Sequence, residues 1–250
     1  MKKIKVGIVN YLNTAPLIYG LKNSRIIEEI ELIPDYPANL AKDLLDDTID
    51  LGLVPVAVIP QLPQWWLMSD YCIGCEGPVA SVCIFSDVPL ENAERVLLDY
   101  QSRTSVELAK LLIKDYWKLD PELIDAAEDF QEHIRGNTAG LVIGDRSFTQ
   151  RKVSKYAYDL GEAWKSYTGL PFVFAAWISN KPLDARFIKS FNEANAFGVN
   201  NISKVIASLD FNDSVDLEEY FQKYISYNLD EAKRIALRKF LQHLKKDFIV

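Results

Sequence analysis

Histidine is nearly absent from this chain: His133 and His243 are the only two, and neither has a second ligand at a metal-binding spacing. Cysteine is equally sparse. Cys72, Cys75 and Cys83 are odd in number and close together, which excludes a disulfide framework and suits a reducing compartment. Cys72 and Cys75 do form a CxxC, but it runs into Gly77-Pro78 and a β-rich stretch instead of opening a helix, so buried structural thiols are expected and no metal. An excess of basic charge is also missing. With 28 Lys and Arg against 35 Asp and Glu the formal net charge is -7, which leaves no broad basic face for nucleic acid or an anionic membrane. The amino-terminal stretch from Met1 to Val6 leads into an apolar run soon broken by Asn10 and Asn13, too short for a signal peptide or a span. A cytoplasmic protein is expected. No internal repeat or low-complexity tract interrupts the chain.

What is present is an ordinary globular composition, 49% hydrophobic and 25% charged over 250 residues, enough for one large domain or two modest lobes. Ile4–Val9, Glu31–Ile33 and Asp50–Pro55 read as strands, separated by helical stretches that begin near Pro16 and Pro37. Strand and helix in alternation predict a largely parallel sheet with ligands at the carboxyl ends of its strands. Val79–Phe85 is a long apolar run interrupted by Ser81, and a second strand-and-helix set follows from Arg95 through Ala139–Ile143 to the aromatic strand Pro171–Ile178. From Pro182 onward the chain turns helical, with one face at Phe187, Phe191 and Ala194 and another at Leu217, Tyr220, Phe221 and Tyr224. A helical tail needs a sheet to cover, and the opening sheet is the one short of helices. The expected architecture is α/β with two lobes, each a mostly parallel sheet flanked by helices. Residues 1–85 plus 178–250 would form lobe one and 86–177 lobe two, joined by crossover strands at Val79–Phe85 and Phe172–Ile178.

Four polar loops would face the cleft between such lobes. In Ser102-Arg103-Thr104-Ser105 the hydroxyls stand where a helix begins, with either Ser102 or Thr104 as N-cap; only Thr104 before Glu107 fits a capping box. Unpaired N–H groups and Arg103 there would seat a carboxylate or phosphate, the alternative being a capped helix with no ligand. Gly74, Gly77 and Pro78 precede Ser81 in a loop where backbone can approach a ligand. Gly144-Asp145 ends another buried strand, and the run from Asn10 to Pro16 carries Asn13.

Taken together, Tyr11–Leu17, Gly74–Ser81, Ser102–Val106, Ile143–Asp145 and the run from Tyr158 through Trp164 to Ala175 resemble the chorismate dehydratases of the futalosine route to menaquinone. The resemblance implies a type II periplasmic-binding-protein-like fold in a cytoplasmic hydro-lyase without a cofactor. It implies conversion of chorismate, a dicarboxylate, to 3-[(1-carboxyvinyl)oxy]benzoate. The family's active-site asparagine and serine fall on Asn13 and Ser81. Gly77, Ser102, Arg103, Thr104, Ser105, Gly144 and Asp145 are then expected to bind substrate. Asn13 would hold an enolate oxygen or the departing hydroxyl, and the substrate's own side-chain carboxylate would serve as base, since no histidine sits in the matched motifs. Two other readings are a 1,4-dihydroxy-6-naphthoate synthase of the same pathway and a non-catalytic carboxylate-binding protein. The oligomeric state is left open.

Overall fold

The structure, a computed structural model, describes residues 3–211 and 215–247. The start of the amino-terminal stretch (1–2) and parts of the helical tail (212–214 and 248–250) lie outside the described residues. In chain order the elements are β1 (Ile4–Val9), α1 (Ala15–Lys22), β2 (Ile30–Asp35), α2 (Pro37–Leu45), β3 (Leu51–Pro55), β4 (Trp66–Cys75), β5 (Val82–Ser86) and β6 (Arg95–Leu98). There follow α3 (Thr104–Leu111), β7 (Glu122–Asp125), β8 (Thr138–Ile143), α4 (Arg146–Val153), β9 (Tyr156–Asp159), α5 (Leu160–Thr168) and β10 (Phe172–Ser179). The tail holds α6 (Ala185–Val199), α7 (Ile202–Ala207), α8 (Leu217–Glu219), β11 (Ser226–Asn228) and α9 (Glu231–Asp247).

Two sheets organise these elements into a two-lobed α/β fold: six strands in the order β11-β4-β10-β3-β1-β2, and five in the order β7-β6-β8-β5-β9. Both are mixed. β1 pairs parallel with β2 and β3, whereas β10 runs antiparallel to β3 and β4. In the second sheet β6 is parallel to β7 and β8, and β5 is antiparallel to β8 and β9. The expectation of mostly parallel sheets is therefore corrected, and so are the boundaries drawn at 85/86 and 177/178. β5 belongs wholly to the five-stranded sheet and β10 wholly to the six-stranded one. The chain changes sheet in short bends instead of along strands: residues 76–81, where Ala80 takes φ 63°, and residues 169–171, where Gly169 takes φ 74°. An apolar run shows that a strand is buried, but not which sheet buries it.

The Cys72–Cys75 segment is part of β4, so Gly74 lies inside a strand and not in a ligand loop. A Cβ there would meet the carbonyl of Phe172 at 2.6 Å. All three cysteines are free and buried, and burial pushes the Cys72 thiol up to about 12.

Helices of the tail cover the six-stranded sheet. α6 lies on α1 and β4, and α9 packs on β10 and on the 3-10 turn Val56–Gln61. Trp177 of β10 donates its indole N–H to Asn195 of α6 at 3.2 Å, in a fully buried pair. The α1–α6 contact is backbone against backbone: a Cβ at Gly20 would collide with the carbonyl of Ala194, and one at Gly198 with the carbonyl of Pro16. Because α1 follows directly on the Asn13 turn, this contact sets where that turn sits. Among the described residues no helix is long and apolar enough to cross a membrane.

A Gly198→Ala substitution should force the two helices apart and cost on the order of 1–3 kcal/mol. Urea denaturation of the variant measures this, and an unchanged midpoint would mean the helices are not in backbone contact.

Candidate active site

The carboxyl ends of β1 and β3 in one sheet face the helix starts of α3 and α4 in the other across a cleft, the concave, mostly apolar setting in which small molecules are usually held. Val9, Pro55, Ile73, Val82 and Phe174 give it apolar walls. Its polar lining includes Tyr11, Asn13, Thr14, Ser102, Thr104, Ser105 and the backbone of Gly144, and among the described residues no charged side chain lines it.

Asn13 stands on a single 3-10 turn, Leu12–Thr14, between β1 and α1. Buried Thr14 fixes that turn by donating its hydroxyl to the carbonyls of Val9 and Tyr11, at 2.5 and 2.7 Å. Tyr227 donates its phenol to the Asn13 carbonyl at 2.9 Å. The side-chain oxygen Oδ1 of Asn13 is nevertheless buried without a hydrogen-bond partner among the described residues. Ser147 Oγ and Asn180 Oδ1 are likewise without a partner, but of the three only Asn13 lines the cleft, where its acceptor is open to a ligand or a water.

Hydrogen bonds join the lobes around this turn. The amide of Leu12 donates to the Asp145 carboxylate at 3.1 and 3.3 Å, and Tyr11 donates its phenol to Gln101 Oε1. Gln101 Oε1 also accepts from Arg146, whose guanidinium pairs with buried Asp99 at 2.7 Å. Gly144, at φ 64°, lets the Tyr11 ring lie against it, where a Cβ would come within 3.2 Å of the ring. Thr104 accepts the amide of Ala57 at 3.2 Å, a third bridge. Helix α3 is capped by Ser102, whose Oγ accepts from the Ser105 amide at 3.1 Å. The capping box of Thr104 with Glu107 does not form, because Thr104 is engaged by the opposite lobe and Glu107 takes Lys110.

A sequence profile described as menaquinone biosynthesis matches residues 4–246. The chain belongs to the menaquinone biosynthesis family. Two chorismate dehydratases are similar along their whole lengths: that of Thermus thermophilus is 27% identical over 99% of this chain and 97% of its own, and that of Campylobacter jejuni 26% identical over 96% of each. Among solved structures, a protein of Archaeoglobus fulgidus superposes with TM-score 0.78 at 16% identity, covering 99% of this chain and 98% of that one. The periplasmic aliphatic sulphonate binding protein SsuA of Escherichia coli gives TM-score 0.61 at 12% identity, over 100% and 89%. At these identities the structures show the fold, which is that of type II periplasmic binding proteins.

In this family member the residues singled out from sequence are not all brought together. Asn13, Ser102, Thr104, Ser105 and Gly144 share the cleft. Arg103, Gly77, Ser81 and Asp145 do not line it. Arg103 is half-buried beside the α3 start, and Gly77 sits where Gly161 approaches its carbonyl closely. Ser81 is fully buried behind the wall; its Oγ accepts from the Tyr220 phenol at 2.8 Å and reaches the Val79 carbonyl at 3.4 Å. Asp145 spends its carboxylate on Leu12 across the cleft, and burial holds its pKa above the ordinary aspartate value despite that bond. Tyr220 escaped the sequence reading because it lies in a helical pattern of apolar residues, while Tyr11, in the loop from Asn10 to Pro16, and Tyr227, in β11, carry no separate signal for a site role. Asp159 had a signal, an acid at a helix start within a matched motif. Its carboxylate accepts the amides of Val79, Ala80, Gly161 and Glu162, pinning the bend before Ser81.

A carboxyl group with a folded pKa above its unfolded value binds protons more readily in the folded chain, so its stabilisation is fullest at low pH and is lost as pH rises through the folded value. Asn at 145 retains an acceptor for Leu12 but does not titrate. The stability of wild type relative to Asp145→Asn should therefore fall as pH rises through the window above the ordinary aspartate pKa, then level off. Denaturation of both proteins across a pH series tests the sign, and a difference that grows with pH would contradict it.

Proposed function

We propose that the protein dehydrates chorismate to 3-[(1-carboxyvinyl)oxy]benzoate, a step of menaquinone biosynthesis by the futalosine route, in the cytoplasm and without a cofactor. Two full-length chorismate dehydratase relatives support the reaction, and the observation that carries it to a residue is the unpaired Asn13 Oδ1 at the cleft wall.

The chemistry is an elimination. The proton leaves the ring carbon that bears the enolpyruvyl ether, and its electron pair spreads through the adjacent double bond onto the ring carboxylate. The pair then returns as the neighbouring carbon–hydroxyl bond breaks. Proton and hydroxide depart as one water, and the ring becomes aromatic. Such a path needs donors for a carboxylate gaining charge, an acceptor to orient the leaving hydroxyl, and a base near the carbon-bound proton. The hydroxyl-rich start of α3, with the positive end of its dipole, is suited to the carboxylate. Asn13 Oδ1 accepts from the leaving hydroxyl, while its amide N–H groups are available to a developing oxyanion. Among the described residues no histidine or carboxylate lines the cleft, and the enolpyruvyl carboxylate of the substrate acts as the base.

Asn13→Ala should lower kcat by roughly 100- to 1000-fold, the usual effect of losing a preorganised polar contact, with a smaller change in KM. Steady-state kinetics on chorismate decides this. Near-normal kcat in the variant would remove Asn13 from the reaction.

A further inference from the structure

The tail beyond Pro182 carries none of the motifs that single out Asn13 and Ser81, yet two of its tyrosines reach the elements that carry them. Tyr220 and Tyr227 are 1% and 4% exposed, and a buried phenol must place its O–H on an acceptor. Tyr220 gives its hydrogen to Ser81 Oγ at 2.8 Å, and Tyr227 gives its own to the Asn13 carbonyl at 2.9 Å. Burial raises the pKa of both phenols, so both remain donors.

Local structure accounts for this convergence. Tyr220 opens a π-helical turn, Tyr220–Tyr224, a feature often found beside functional sites, and β11 then returns the chain along β4 to place Tyr227. The Tyr220 ring is held edge-on by Phe148 of α4 at 5.1 Å between centroids, so its oxygen has little freedom. Ser81, in turn, follows left-handed Ala80, and its carbonyl accepts the amide of Gly144, which lines the cleft. Ser81 Oγ, fully buried, accepts from Tyr220 and reaches the Val79 carbonyl, so Tyr220 holds the segment whose carbonyl fixes Gly144 at the cleft wall.

We propose that Tyr220 and Tyr227 are positioning residues, Tyr220 acting through Ser81 and Tyr227 through the Asn13 turn. This rests on the dehydratase reading above. Tyr220→Phe and Tyr227→Phe keep the rings and remove only the hydrogen bonds. Each should lower kcat for chorismate about tenfold while KM stays within about threefold, since a group that aligns the reacting residues acts on the transition state. In double-mutant cycles, Tyr220→Phe should add less than about twofold to Ser81→Ala, and Tyr227→Phe less than about twofold to Asn13→Ala. Thermal melting of each variant is recorded alongside, and either tyrosine suffices if the other variant does not fold. Unchanged kcat in the Phe variants, or full multiplication of effects in the double variants, overturns the inference while leaving the reaction in place. A wild type that does not turn over chorismate overturns the reaction, and the inference with it.

Discussion

The acceptance of the Leu12 amide by the Asp145 carboxylate is the bond around which the site is arranged. It joins the five-stranded half of the molecule to the first turn after β1, and the residues on either side of Leu12 carry the rest. Tyr11 extends the same bridge to Gln101 and Arg146, while Asn13 turns its side chain into the cleft. A buried carboxylate is costly unless several donors share it, and the cost appears here as a raised pKa.

Two further clamps keep this bridge in register. Behind it, the backbone contact of α1 with α6 at Gly20 and Gly198 fixes the start of the helix on which the Asn13 turn rests. At the bends between sheets, Asp159 gathers four amides from residues 79–80 and 161–162, and Lys233 of α9, almost completely buried, bonds Glu76 and Asp230. Ala80 occupies a backbone region disfavoured for a residue with a Cβ, and those amide bonds hold it there. The tail therefore does more than cover a sheet, since it supplies Lys233 near the bend and Tyr227 beneath the cleft.

Much of this was legible in the chain. The apolar runs of β1, β3 and β10, the prolines opening α1 and α2, and the hydroxyls before α3 marked their elements, and the loops carrying Asn13, Ser102–Ser105 and Gly144 do meet in one cleft. Pairing direction was not legible, because β5 and β10 are buried on both faces and an apolar run looks alike in parallel and antiparallel ladders. The fate of Thr104 was hidden for a similar reason: a hydroxyl at a helix start suits a cap, a ligand or a neighbouring amide, and only tertiary structure brings Ala57 to it. Tyr220 lay within a helical pattern of apolar residues, where nothing distinguishes a phenol that packs from one that also donates to Ser81.

The proposed reaction is the removal of water from chorismate in this cleft. Mass analysis of chorismate incubated with the purified wild-type protein tests it most directly. The account predicts an aromatic product lighter than chorismate by one water, accumulating in proportion to enzyme and time. Chorismate recovered unchanged after saturating the protein would contradict it and return the cleft to a binding role.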